Sequence, residues 1–353
     1  ERFNKSNNKK LIGVDLIMIN YPTPLKKGDT IGIIAPSAGL SAIFPHRIDK
    51  AIEYFKSEGY KIKEFRNVRK SKKWESASPE ERSKEIMEAF EDKEVKAIIC
   101  EIGGTTANKT LNFLDFKKIR KNPKIFCGYS DISVLHYAIY KKSRLMTYYG
   151  PSIMVQFAEY PYPLEHTKEY FNRAVSIGKI GKIDPSDEWT DETLDWNKKE
   201  DQKRARKFKK NKGFEWIKKG FAEGPIIGGC LHSILHLLGT KYWPSHKNKI
   251  LFLDIPEGEN FDRAFPISEL DAELIDLENA GVFKKIKGLI IGRPFKYSEK
   301  KEKELKETIL DNLKKYNFPV LYGADIGHTD PQITIPLGRK TRINSNTNLF
   351  EIS

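Results

Sequence analysis

Cysteine is scarce in this sequence: three residues in 353, at positions 100, 127 and 230, with no spacing that would hold a metal ion or a disulfide framework. Each stands beside apolar or glycine-rich residues, which suits buried free thiols in a reducing compartment. No apolar run is long enough to cross a bilayer, and no apolar segment with a small-residue cleavage site stands near the first residue, so a cytoplasmic protein is expected. Zinc-finger spacing, an RNA-recognition aromatic motif and heptads are also missing. Neither Gly-x-Gly-x-x-Gly nor a Walker lysine is present to cradle a phosphate. Neither a metal nor a cofactor is therefore expected.

The chain does have length enough for two domains and a sizeable core, with 39% hydrophobic residues, 20 Phe and 15 Tyr. Its net charge of +14 is concentrated: Asn197 to Gly220 carries eleven Lys or Arg against Glu200, Asp201 and Glu215. Such a stretch can hold an anionic substrate, touch nucleic-acid phosphates or form a solvated face, and charge alone does not choose among them.

Residues 1–20 are polar and Asn/Lys-rich before turning apolar at Leu16 to Ile19, and are expected to be an appendage, with Met18 as the natural start. From Thr30 short apolar runs alternate with helical periodicity: Ile31 to Pro36, His46 to Ser57, Lys61 to Phe65, Pro79 to Glu91, Val95 to Cys100 and Lys124 to Cys127. That alternation predicts an α/β fold whose N-terminal domain, residues 21–155, is an open, mostly parallel sheet of Rossmann or flavodoxin-like kind. Tyr160-Pro161-Tyr162-Pro163 breaks the pattern, and residues 156–221 are expected to be a connector that also carries function. A smaller C-terminal α/β domain, residues 222–353, with a β-rich tail over Gln332 to Ile352, completes the expectation, and the active site is expected between the domains.

Gly128-Tyr129-Ser130-Asp131 ends an apolar run and begins a helical pattern. A sharp strand-to-helix turn there would lift a serine clear of the sheet and aim the following N–H groups at a reacting carbonyl. The match to Gly-x-Ser-x-Gly is half complete, since Ile132 fills the last position, and Ser130 as a helix cap is the alternative. Gly103-Gly104 follows another strand, where ligands gather in open α/β sheets, and reads as an oxyanion donor or as a plain tight turn. A serine needs a base, and the base an orienting acid. Of the seven histidines, His328 stands apart, in a Gly327-His328-Thr329 loop directly after a strand pattern. Asp254 ends the strand Ile250 to Leu253, and Glu257 and Glu259 follow within one turn. The order Ser, acid, His is compatible with a triad.

These groups together resemble the serine peptidases that include LD-carboxypeptidase and the microcin C immunity peptidase, peptidase family S66. The resemblance runs from about Tyr21 through Gly28 to Ser37, Gly103-Gly104, Gly128 to Asp131, Gly228-Gly229, Gly239 to Tyr242, Ile250 to Asp254 and Gly327 to Thr329. It implies an N-terminal domain carrying Ser130 as nucleophile, a C-terminal domain donating the acid and His328 as general base, and a homodimer. The backbone N–H groups of Gly104 and Asp131 would form the oxyanion hole. The family usually has glutamate where this chain has Asp254; Asp254 is preferred as the acid, with Glu257 as the alternate. The loop Asp187 to Trp196, with Trp189 and Trp196, looks like the microcin immunity branch, where a tryptophan stacks on the nucleoside of an aminoacyl adenylate analogue. Both tryptophans as packing anchors is the other reading.

The substrate expected from this likeness is an acidic aminoacyl-nucleotide. The alternatives are a murein tetrapeptide losing its terminal D-alanine, or a basic nucleotide-binding protein with no catalysis.

Overall fold

The computed structural model describes residues 19–259 and 262–353, and the expected start at Met18 lies outside them. Ile19 and Asn20 belong to the fold rather than to an appendage: Ile19 packs against the core, and Asn20 pairs with Leu145 in a short bridge.

The first half alternates strand and helix: β1 (Thr30–Ile34), α1 (Pro45–Ser57), β2 (Lys61–Glu64), α2 (Pro79–Glu91), β3 (Val95–Cys100), α3 (Phe116–Lys121), β4 (Ile125–Gly128), α4 (Ser133–Ser143) and β5 (Tyr148–Tyr149). Buried on both faces, β1 and β4 read as nearly continuous apolar runs, and β3 does so apart from the exposed Lys96, as interior strands of a parallel sheet do. At the edge lies β2, Lys-Ile-Lys-Glu, whose charges discourage pairing with another chain. Helix α2 starts at a capping box in which Ser78 accepts from the Glu81 N–H and Glu81 accepts from the Ser78 N–H, with Pro79 in the first turn.

The middle segment, read as a connector, is built. It contains α5 (Glu165–Asn172), β6 (Gly181–Lys182), β7 (Glu188–Trp189), β8 (Lys209–Lys210) and β9 (Glu215–Lys218). Strands β7 and β8 pair with each other, whereas β6 and β9 form the two edges of the second sheet. Short polar strands of two to four residues carry little periodicity, so sequence reasoning passed over them.

The remainder supplies β10 (Phe221–Cys230), α6 (Leu231–Leu235), β11 (Ile250–Asp254), α7 (Ile267–Asn279), β12 (Gly288–Gly292), α8 (Glu299–Leu313), β13 (Val320–Ala324), β14 (Ile335–Pro336), β15 (Lys340–Asn344) and β16 (Leu349–Ile352). The second sheet has eight strands in the order β6-β16-β15-β10-β11-β12-β13-β9, with β10 to β13 parallel. The first sheet runs β14-β5-β4-β3-β1-β2. Its outermost strand, β14, comes from the C-terminal segment and pairs antiparallel with β5, so the chain returns to close the sheet it began with.

Where the halves meet, α4 packs against α6 and β10. Tyr137 lies 5.5 Å from Trp243 across this contact, and its hydroxyl bonds His246. Burial drives His246 down to about 3, which keeps it neutral. At Gly229 a β-carbon would come within 2.5 Å of Ser133 Oγ, so glycine permits this approach. No helix of the described residues is long and apolar enough to cross a membrane.

Candidate active site

Strand β4 ends at Gly128, the backbone turns through one 3-10 turn over Ser130–Ile132, and α4 begins at Ser133. Ser130 sits at the apex with φ +62°, a left-handed conformation that costs a non-glycine residue roughly 1–2 kcal/mol. The surroundings hold it there. Ser133 Oγ donates to the Ser130 carbonyl at 2.6 Å and accepts the Cys230 N–H at 2.9 Å, fastening the turn to β10. Beneath the turn, His136 Nε2 donates to the Gly128 carbonyl at 2.8 Å. Burial lowers His136 to about 4, so it is a neutral brace. Gly128 also packs tightly, because a β-carbon would lie 3.1 Å from Cys100 Cβ and from Ile132.

The capping alternative fails at Ser130, whose hydroxyl caps no helix here. It stands 3.1 Å from His328 Nε2 instead. His328 Nδ1 lies 2.9 Å from Asp254 Oδ2 and 3.1 Å from Oδ1. Serine from the first sheet, acid from the end of β11 and histidine from the loop after β13 thus form one line of contacts. Gly327 makes the approach possible: its φ is +95°, and a β-carbon there would fall 1.7 Å from Asp254 Oδ1.

The two carboxylates considered from sequence occupy different sides of the imidazole. Asp254 faces Nδ1, while Glu257 Oε2 lies 3.0 Å from Nε2, a charge-pair distance without hydrogen-bond geometry. Burial opposes a charged His328, yet Asp254 and then Glu257 outweigh it and hold the imidazole well above its ordinary range. Burial likewise pushes Glu257 up, and the His328 charge more than reverses this. The phenol of Tyr149 donates to Asp254 Oδ2 and accepts the Ser130 N–H at 3.4 Å. Nothing in the sequence pattern singled this tyrosine out.

Gly103 presses against Ser130 and Gly104 against Ser37. A β-carbon on Gly103 would meet Ser130 Cβ at 2.7 Å, and one on Gly104 would meet Ser37 Oγ at 2.5 Å. Among the described residues, the Gly104 N–H donates to no protein acceptor. The carboxylate of Asp131, whose backbone N–H was the other expected donor, reaches back to this loop. Its Oδ2 accepts from Ser37 Oγ at 2.5 Å and from the Ala107 N–H at 3.1 Å. Burial raises the Asp131 pKa against those hydrogen bonds. The sequence reading assigned Asp131 only a backbone role and missed this clamp.

The tryptophan loop lies against the histidine loop. Thr190 and Asp330 exchange two backbone hydrogen bonds, at 2.7 and 3.0 Å. The half-buried Trp189 ring has Lys209 Nζ 4.6 Å and the Arg293 guanidinium 5.0 Å from its centroid. Trp196 sits farther along, with the Arg47 guanidinium 4.4 Å over its ring and Phe44 edge-on at 5.4 Å. Trp196 is thus tied to α1, and the packing reading fits it better than it fits Trp189.

Much of the basic stretch is matched by acids of the same chain. Arg204 pairs with Glu192, Lys209 with Asp191, and Arg206 with both Glu159 and Asp330. Three further histidines, His46, His166 and His232, pair with Asp201, Asp325 and Glu273. No cluster of three or more His, Cys, Asp or Glu that could hold a metal occurs among the described residues, and all three cysteines are buried and free.

Against known proteins, the family model described as LD-carboxypeptidase N-terminal domain matches residues 31–150, and that of the LD-carboxypeptidase C-terminal domain matches residues 223–343. The microcin C7 self-immunity protein MccF of Escherichia coli is 30% identical over 93% of this chain and 95% of its own. A structure of MccF in complex with glutamyl sulfamoyl guanosine superposes with a TM-score of 0.86 at 29% identity, covering 94% of this chain and 98% of that one. A MccF-like protein from Bacillus anthracis has a TM-score of 0.85 at 34% identity, over 94% and 98% of the two chains. A Bacillus subtilis protein named "Probable murein peptide carboxypeptidase" is 28% identical over 93% of this chain and 92% of its own.

Proposed function

We propose, for a chain that belongs to the LD-carboxypeptidase family of serine peptidases, that Ser130, His328 and Asp254 carry out amide hydrolysis on an acidic aminoacyl-nucleotide. One observation carries the mechanism: Ser130 Oγ lies 3.1 Å from His328 Nε2 while Nδ1 of the same ring lies 2.9 Å from Asp254. Ser130 Oγ attacks the scissile carbonyl as neutral His328 takes its proton at Nε2. The N–H groups of Gly104 and Asp131 receive the developing oxyanion. His328 then returns the proton to the leaving nitrogen, and water releases the acyl group by the same route in reverse. Asp254 orients the ring and stabilises the imidazolium. A cytoplasmic homodimer is part of the reading, the dimer from the family likeness and the compartment from the buried free thiols.

The acidic aminoacyl-nucleotide is supported by the similarity to MccF, which has been solved with glutamyl sulfamoyl guanosine and with aspartyl sulfamoyl adenosine. The proximity of the Trp189 loop to the histidine loop supports it from within the chain. A second reading, release of terminal D-alanine from a murein tetrapeptide, is favoured by the Trp189 ring already being engaged by Lys209 and Arg293, which compete with a base for it. The test offers aspartyl sulfamoyl adenosine and the tetrapeptide to the wild type and to Ser130→Ala, with products followed by mass spectrometry. Cleavage of the first compound alone, lost in the variant, is the expected result; cleavage of the tetrapeptide alone overturns the substrate, and full activity in the variant overturns the mechanism.

A further inference from the structure

Tyr149 is fully buried and takes no part in the acyl transfer just described. Its single hydroxyl touches both halves of the candidate site: it donates to Asp254 Oδ2 and accepts the Ser130 N–H at 3.4 Å. The residue lies on β5, opposite Gly128 of β4 on one side and Ile335 of β14 on the other, so its backbone is fixed from both directions. Phe252 at 5.2 Å and Tyr129 at 6.4 Å confine the ring.

We propose that Tyr149 is a positioning residue of the reaction: its hydroxyl fixes the direction of the Asp254 carboxylate, and through it the orientation and basicity of His328, while steadying the backbone of the nucleophile. The inference rests on the serine peptidase reading. An aspartate has a short side chain, and its carboxylate is held in one orientation only when donors reach it from different sides. His328 Nδ1 supplies one and Tyr149 the other. Burial, and after it the charge of Asp254, keep the phenol well above its ordinary range, so it stays a protonated donor. The groups facing this carboxylate and imidazole are few. Glu257 is the second carboxylate, Cys230 at the end of β10 is raised by burial and stays a neutral thiol, and His136 at 6.0 Å from Tyr149 is neutral. Tyr129 is also a buried neutral phenol, and Asp330 is matched by Arg206.

The experiment measures the pH profile of kcat/KM for the wild type, Tyr149→Phe and Ser130→Ala, on whichever of aspartyl sulfamoyl adenosine and murein tetrapeptide the wild type cleaves. Losing a hydrogen bond to a charged group is expected to lower kcat by about 10- to 100-fold with KM little changed. Without the phenol, the full charge of Asp254 acts on the imidazolium, so the acidic limb moves to higher pH. A purely structural tyrosine would not shift that limb. Wild-type kcat and an unmoved profile in Tyr149→Phe, with Ser130→Ala inactive, overturn the inference; an active Ser130→Ala overturns the peptidase reading and this inference with it. Should Tyr149→Phe fail to fold, 3-fluorotyrosine at position 149 has a more acidic hydroxyl and a stronger bond, and is expected to move the limb to lower pH. An unmoved limb there overturns the inference too.

Discussion

Arg206 Nη2 lies 2.9 Å from Asp330 Oδ2, which ties the basic middle segment to the loop that carries His328 two residues earlier. The same guanidinium grips Glu159 with two nitrogens, Nε at 3.2 Å and Nη2 at 2.5 Å. Gln156 completes the junction by donating to Asp330 Oδ1 at 3.0 Å. Burial disfavours the charged arginine, but Asp330 and Glu159 outweigh it and keep it ionised.

Arg206→Met leaves two buried carboxylates without their cation. Breaking such a pair from one side costs about 3–5 kcal/mol. The expected outcome is a lowered urea midpoint together with a fall in kcat, because the histidine loop loses its anchor. Unchanged values of both would show that the pair is dispensable. Arg206→Lys is expected to be intermediate, since lysine cannot present two parallel donors.

The charge on Glu257 sets where the acidic limb of kcat/KM falls. On the proposed mechanism His328 must be neutral to accept the Ser130 proton, so activity is expected to decline as pH falls through its pKa. Glu257→Gln removes one of the two carboxylates that raise that pKa, and the limb is expected to shift to lower pH. The stability consequence has a definite sign. A histidine whose folded pKa is raised contributes stability that is fully present below its unfolded value, about 6.5, and lost as pH rises through the folded pKa. Chemical denaturation across that window in the wild type and Glu257→Gln measures it; the variant loses part of the acid-side gain.

Gly327→Ala is expected to abolish activity and destabilise the fold. The β-carbon would sit 1.7 Å from Asp254 Oδ1, and the φ of +95° is one that L side chains rarely adopt. Gly281→Ala serves as control. It also has positive φ, +69°, but its nearest neighbour is the flexible end of Lys285 at 3.6 Å. Comparison of the two melting temperatures separates the clash from the backbone strain.

Backbone strain at Ser130 predicts a difference in stability between two variants that both lack the proposed nucleophile. Ser130→Ala keeps a β-carbon at φ +62°, and Ser130→Gly does not. The glycine variant is expected to be more stable than the alanine variant by about 1 kcal/mol. Equal melting temperatures would mean that the turn carries no strain.

The strand-helix alternation and the members of the site were legible because they follow from local rules. Val95 to Cys100 and Pro79 to Glu91 form the elements their apolar runs and periodicity suggest. Ser130, His328 and Asp254 stood out as polar residues at strand ends, and the structure brings those three together. The choice between Asp254 and Glu257 was open in sequence because both follow one strand within a turn. Only the three-dimensional path of the Gly327 loop assigns one to each ring nitrogen. Tyr149 and the Asp131 side chain were illegible for a different reason. A buried tyrosine in an apolar strand and an aspartate beside a serine look the same whether or not they touch the site, and their partners lie 105 and 94 residues away in sequence. The short strands of the middle segment were hidden by their polar composition.

The return of β14 to pair with β5 has a consequence for how this chain is made. During synthesis the serine emerges first, its acid later and its histidine later still, and the strand that seals the edge beside Tyr149 comes after all of them. A ribosome-bound chain stopped anywhere short of residue 328 lacks the histidine that stands beside Ser130. On the proposed mechanism such a chain is inactive, and the site is complete only once Asp254 and His328 have joined Ser130.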